Sequence, residues 1–155
     1  MDDRAEQYFN EGADFADLGQ YAEALASFDR AIAINPDFAG AWFNRGSALY
    51  ELGGHAEAVV SYDKALAINP NDAGAWYSRG NALLQLGRHA EAVASYDKAI
   101  AIKPDYADAW YNRGVSLDYL GRHSEALSSF DKAIAINPND VDAKQNRESV
   151  LKKLT

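Results

Sequence analysis

The chain has 155 residues, no cysteine and a formal net charge of −8 at pH 7. A disulfide framework, a thiolate nucleophile and a thiolate metal site are therefore excluded, and a reducing cytoplasm is the simplest compartment to expect. The acidic balance argues against nucleic acid, whose affinity rests on neutralised phosphates, and against anionic membrane surfaces. The opening segment MDDRAEQYF carries acids where a secretion signal carries bases, and no apolar run approaches a membrane span, so a soluble chain is expected.

Residues 1–4 are expected to fray. Apolar residues at helical spacing then predict a helix with Tyr8, Gly12, Phe15 and Leu18 on one face, a turn at Gly19, and a second helix with Ala24, Phe28, Ala31 and Ile32, ended by Asn35-Pro36. The next hairpin places Trp42, Gly46, Leu49 and Leu52 before a Gly53-Gly54 turn, and Ala58, Tyr62, Ala65 and Leu66 after it. In the third, Trp76, Gly80, Leu83 and Leu84 predict a helix over about 73–86, and Gly87 is placed to take a left-handed cap. Its second helix carries Ala92, Val93, Tyr96, Ala99 and Ile100, and Pro104 follows where a proline cannot extend a helix. Small residues at Gly80 and Ala92 let the two backbones approach, with Trp76 and Tyr96 filling the space on either side. The fourth hairpin repeats this with Trp110, Gly114, Leu117, Leu120, Gly121, Ala126, Phe130, Ala133 and Ile134.

Sliding the sequence by 34 residues brings Trp42, Trp76 and Trp110 into register, and likewise Pro36, Pro70, Pro104 and Pro138. The units are 5–38, 39–72, 73–106 and 107–140. One such hairpin cannot bury its apolar faces alone, so the units are expected to stack into a continuous elongated core. Residues 141–154 keep Asn146, Arg147, Leu151 and Leu154 but place Lys144 and Glu148 where tryptophan and glycine stand. This predicts a capping helix whose retained positions face the preceding unit and whose lost positions would face a second helix. Arg45, Arg79, Arg113 and Arg147 recur in register, but Glu11 takes that place in the unit with nothing before it. The arginines should therefore face backward, pairing with Asp29, Asp63, Asp97 and Asp131 across the seams.

His55, His89 and His123 recur once per unit, so copies stand at least about 8–10 Å apart, whereas zinc needs ligand atoms at about 2 Å. A packing role is expected. The loops 69–72 and 137–140 lack the spacing of a calcium loop and read as turns with Asp or Asn available as caps. Serines and carboxylates come one per unit, and nothing converges as a nucleophile, base and orienting group must. No metal, no cofactor and no enzymatic activity are expected.

The pattern of Trp, Gly, Ala, Tyr or Phe, Ala and Pro, repeated four times without insertion, resembles the tetratricopeptide repeat family. It departs from that family at Arg45, Arg79 and Arg113, where leucine is usual, and at Tyr8 and Glu11 of the first unit. The resemblance implies an all-α, right-handed superhelical α-solenoid of antiparallel hairpins, with the first helices lining a concave groove. It carries onto that face Phe9, Phe43, Tyr77 and Tyr111 at the fifth positions and Asn10, Asn44, Ser78 and Asn112 at the sixth. Further along the helices it carries Ser47, Asn81, Tyr50 and Tyr119, alongside Asp17, Glu51, Leu84, Gln85 and Asp118.

An amide offers both a donor and an acceptor to a peptide backbone. The aromatic row favours apolar, proline or basic side chains. A clamp for terminal carboxylates, as in co-chaperones of the family, needs cations where this chain has Phe9, Phe43, Gly40, Gly74, Ser78 and Asp108. The expectation is a non-catalytic scaffold that binds an extended peptide or partner segment with roughly micromolar affinity. Self-association through the ends or the convex face, and a module cut from a larger enzyme, are the alternatives.

Overall fold

A computed structural model describes residues 2–155, which form α1 (Asp3–Asp17), α2 (Tyr21–Ile34), α3 (Ala39–Glu51), α4 (His55–Ile68), α5 (Ala73–Gln85), α6 (His89–Ile102), α7 (Ala107–Tyr119), α8 (His123–Ile136) and α9 (Val141–Lys153). No strand occurs among the described residues. Each of α1 to α8 packs on its hairpin partner and on an adjoining hairpin, α9 packs back on α8, and first helices also touch the next first helix; among the described residues no contact reaches further. The result is an all-α solenoid.

Each hairpin turns on one glycine. Gly19, Gly53, Gly87 and Gly121 have φ of 74°, 82°, 71° and 75°, the left-handed region that side chains with a Cβ disfavour. At Gly87 the cap is complete: Gly87 N–H donates to the Leu84 carbonyl at 3.0 Å and Arg88 N–H to the Leu83 carbonyl at 2.9 Å, satisfying two carbonyls that the helix leaves open.

The hairpins close on a second set of glycines. A Cβ at Gly80 would stand 2.6 Å from Tyr96 Cε1, and Gly12, Gly46 and Gly114 meet Phe28, Tyr62 and Phe130 in the same way. The ring of the second helix thus lies flat on the backbone of the first. Leu49, Leu83 and Leu117 are buried beside it.

Four expectations need correction. Asp3 and Arg4 are helical, not frayed, because Asp2 caps α1 by accepting from Arg4 N–H at 3.0 Å; Met1 lies outside the described residues. Leu18, Leu52 and Leu120, expected on the apolar face, are 72%, 50% and 39% exposed, because they are the C-cap residues and the chain leaves the helix there. Trp76 packs against the core but does not serve its own hairpin alone. It lies half-buried with its indole N–H donating to the Pro70 carbonyl at 2.9 Å, because helical side chains lean toward the N-terminus and so reach the loop behind. Trp42 and Trp110 do the same with Pro36 and Pro104.

The fourth correction concerns the cap. On α9, Asn146 and Arg147 do face the preceding hairpin, reaching Tyr111 and Asp131. The residue that seals the core there is Val150, fully buried, whereas Leu151 is half-buried and Leu154 exposed. Only the face turned back toward α7 and α8 is covered among the described residues.

Candidate functional site

All twelve residues expected to bind a partner lie on first helices: Phe9 and Asn10 on α1; Phe43, Asn44, Ser47 and Tyr50 on α3; Tyr77, Ser78 and Asn81 on α5; Tyr111, Asn112 and Tyr119 on α7. The structure joins many of them to one another or to the core beneath. Phe9 has Phe28 on one side at 6.0 Å and Phe38 on the other at 4.8 Å, and Tyr77 lies likewise between Tyr96 at 6.0 Å and Tyr106 at 4.8 Å. Phe43 and Tyr111 meet one ring each, Tyr62 at 5.7 Å and Phe130 at 5.8 Å.

The difference is set by the residue just before each following first helix, which alternates Phe38, Asp72, Tyr106, Asp140. Phe38 and Tyr106 cover the ring behind them. Asp72 and Asp140 instead cap their own helices, accepting from Ala75 N–H at 3.1 Å and Ala143 N–H at 3.0 Å. All four fifth-position rings remain half-exposed.

The amide row is partly engaged within the protein. Asn112 Nδ2 donates to Asn81 Oδ1 at 3.0 Å and to Tyr77 Oη at 3.3 Å, and Asn146 Nδ2 donates to Tyr111 Oη at 2.9 Å. Asn44 faces Phe9, which has no hydroxyl, where Asn112 faces Tyr77. Asn10 stands on the outer side of α1 in an acidic groove with Asp3, Glu6, Glu11 and Asp14.

A polar layer runs beneath this face in the two middle hairpins. Tyr96 donates to Asn81 Oδ1 at 2.7 Å, and the Tyr62 hydroxyl lies 3.3 Å from Ser47 Oγ. In the outer hairpins the ring is Phe28 or Phe130, and the facing residue is Ala13 or Val115. A buried hydroxyl needs a partner, and the chain supplies one only where the ring is tyrosine. Burial pushes the Tyr62, Tyr77, Tyr96 and Tyr111 phenols upward and that of Tyr106 to about 12, so all are neutral at physiological pH.

Three pockets open between first helices. One of about 190 Å³ lies between α3 and α5, lined by Ser47, Tyr50, Glu51, Ser78 and Asn81, with Tyr62 at its floor. One of about 270 Å³ lies between α1 and α3 and shares Ser47 and Glu51 with the first, adding Asp17, Tyr21, Phe28 and Asn44. The third, between α7 and α9, holds Tyr111, Asp118, Tyr119, Asn146 and Lys153. There Asp118 is neutralised by Lys153 at 2.8 Å and bonded to His123 Nδ1 at 2.9 Å. Among the described residues Asp17 and Glu51 enter no ion pair.

Sequence reasoning placed Glu51 on the face but left Tyr62 and Tyr96 out of the site. The signal was present: across fifteen residues, polar Ser47 and Asn81 accompany tyrosine, and apolar Ala13 and Val115 accompany phenylalanine. The histidines take part in packing. His89 stacks on Tyr119 at 4.6 Å, and His55 meets the edge of Tyr50 at 4.8 Å. Among the described residues, no group of three or more His, Cys, Asp or Glu could hold a metal ion, and no helix is long and apolar enough to cross a membrane.

Family models described as TPR repeat match residues 12–53, 46–87 and 80–117, and one described as tetratricopeptide repeat matches 107–140. No curated protein matches the chain. Among solved structures, a double mutant of MamA RS-1 superposes with a TM-score of 0.94 at 24% identity, over 99% of this chain and 86% of that one. A tetratricopeptide repeat protein from Parabacteroides merdae ATCC 43184 gives 0.87 at 25% identity, over 97% and 60%. The first TPR of Spaghetti (RPAP3), bound to the HSP90 peptide SRMEEVD, gives 0.73 at 22% identity, over 75% and 92%. With family models spanning 12–140 and a glycine-capped helical hairpin recurring every 34 residues, the chain belongs to the tetratricopeptide repeat family.

Proposed function

We propose that the chain is a non-catalytic interaction scaffold whose face of first helices holds an extended segment of a partner protein rich in basic and apolar side chains. The carrying observation is the row of half-exposed rings at Phe9, Phe43, Tyr77 and Tyr111, beside pockets that contain the unpaired carboxylates of Asp17 and Glu51. Rings of this kind accept apolar groups on their faces and cations above them, for about 0.5–2 kcal/mol per contact.

The first TPR of RPAP3 is bound to the HSP90 peptide SRMEEVD, which is acidic toward its C-terminus. The present face has Phe9, Phe43, Gly40, Gly74, Ser78 and Asp108 where cations would be needed for such a tail, so acidic termini are disfavoured. A peptide-display screen of the wild type beside an Asn44→Ala, Tyr119→Ala double variant tests the proposal. Both side chains lie outside the buried core, and Tyr119 is 74% exposed. The wild type should enrich basic and apolar peptides that the variant loses; identical profiles would remove the groove mechanism.

Opposite charge at the two ends supports a second function, head-to-tail association. α1 carries five acids to one base, with Asp3, Glu6, Glu11 and Asp14 exposed, and α9 carries four bases to two acids, with Lys144 and Lys152 exposed beside Asp142 and Glu148. Such a head-to-tail contact builds filaments, or rings where the rotation between copies closes. Light-scattering mass should then rise with concentration and fall with added salt; a constant monomer mass rejects it.

A further inference from the structure

We infer that the pocket between α3 and α5 is a subsite for one arginine side chain of the partner, with Glu51 as its counter-ion. This rests on the face of first helices being a peptide-binding surface, and it names the side chain that the surface selects.

One substitution in the repeat pattern sets the wall of this pocket apart from those of the other two. Positions 44, 112 and 146 are asparagine, and at the next seam the Asn112 amide reaches across to Asn81 and Tyr77. At position 78 the residue is serine, too short to make that reach, and the space between Ser47, Tyr50, Glu51 and Asn81 stays open.

The chemistry of its walls narrows the ligand. Tyr62 Oη and Ser47 Oγ lie 3.3 Å apart at the floor, the Ser78 hydroxyl and the Tyr50 ring line the wall, and Glu51 supplies the one formal charge. An anion would meet Glu51 directly and Asp17 in the adjoining pocket. An aliphatic head would strip water from the hydroxyls and return no hydrogen bond. A cation meets both needs.

Between the two cationic side chains, the guanidinium fits better. It is flat and more weakly hydrated than an ammonium, it stacks on an aromatic face, and its several N–H groups can serve a carboxylate and hydroxyl oxygens at once. The C-terminal pocket shows the contrasting case, since its acid, Asp118, is already answered by Lys153. The unanswered negative charge of the row of pockets lies in the half built by α1, α3 and α5.

The test uses the intact chain and two small probes, Nα-acetyl-arginine methylamide and its neutral isostere Nα-acetyl-citrulline methylamide, followed by amide chemical-shift perturbation. The arginine probe should shift Glu51, Ser78 and Asn81 saturably, and bind about tenfold more tightly than the citrulline probe, the scale of one charge-assisted contact. Glu51→Gln should erase that preference and leave the helical circular dichroism unchanged. Equal binding of the two probes, shifts confined to other residues, or full retention of the preference in Glu51→Gln each overturns the subsite. Adding Glu51→Gln to the display screen separates the two failures. Selected peptides with no Glu51-dependent arginine enrichment sink the subsite and spare the groove. Saturable arginine binding in the pocket, with no peptide selected, sinks the groove and spares the subsite.

Discussion

Arg79 donates from Nε to Asp63 Oδ1 at 2.6 Å across the seam between α4 and α5. Its Nη1 also reaches Ser95 Oγ at 2.7 Å on α6, so one guanidinium ties three helices together. Arg45 repeats this with Asp29 and Ser61, and Arg113 with Asp97 and Ser129. Asp63 is half-exposed, whereas Ser95 is fully buried, so the two ends of the bridge should differ in weight. Asp63→Asn should cost about 0.2–1 kcal/mol, as expected of a surface ion pair. Arg79→Met, which strands the buried serine, should cost about 1–3 kcal/mol. Urea unfolding of both variants checks this; equal losses would show that the serine contact carries no weight.

Gly80→Ala should destabilise, although alanine favours helix by about 1 kcal/mol. The new Cβ would fall 2.6 Å from the Tyr96 ring, which is fully buried and fixed by Asn81. A net loss of about 1–3 kcal/mol is expected from overpacking, read as a lower unfolding midpoint. A neutral or stabilising outcome would mean that the ring can tilt away freely.

Ser116 Oγ is buried with no hydrogen-bond partner, at a place where the two middle hairpins have Ala48 and Ala82. Ser116→Ala should therefore raise stability, by about 1 kcal/mol, since it removes an unsatisfied hydroxyl and keeps the volume within one atom. Thermal melts of the two proteins decide it.

Gly54 has φ −82° and ψ 59°, close to the values of Arg88 and Arg122 in the same place, and a Cβ there makes ordinary contact with Leu49. Arg88 and Arg122 each form a two-bond pair with Glu91 and Glu125, and Glu57 waits at the matching position. Gly54→Arg should stabilise by about 0.4–1 kcal/mol, chiefly by restricting the unfolded chain. A lower melting temperature would contradict the equivalence of the turns.

Alkali should unfold the array through its tyrosines. Burial raises the phenol pKa of Tyr62, Tyr77, Tyr96, Tyr106 and Tyr111 above the unfolded value of about 10. The protonated phenol is the neutral form that the folded state prefers, so this stability is present below about pH 10 and is lost as pH rises through the folded values, near 12 for Tyr106. Absorbance at the phenolate band and unfolding midpoints, both followed from pH 8 upward, should change together. Full phenolate absorbance with the helices intact would show those rings to be accessible.

Periodicity made the hairpins, the glycine caps and the Asp–Arg seam pairs readable, because each depends on a spacing along the chain that repeats four times. Leu18, Leu52 and Leu120 misled because period alone does not tell the last turn of a helix from the residue that leaves it. Val150 escaped notice because its register mates are the small residues Ala48, Ala82 and Ser116. The candidate site was legible as a face but not as contacts. Asn112 and Asn146 look alike in sequence to free Asn44, and only the hydroxyl one unit behind, on Tyr77 or Tyr111, decides whether the amide is engaged. The pocket at Ser78 is a departure from the repeat, so a method that looks for recurrence passes over it.

Among the described residues, no helix in this stack touches anything beyond the neighbouring hairpin. A small change of tilt at one seam is therefore opposed only locally, and four such changes add along the axis. The molecule should behave as a coil spring, lengthening or tightening its pitch for little energy without breaking a single hairpin.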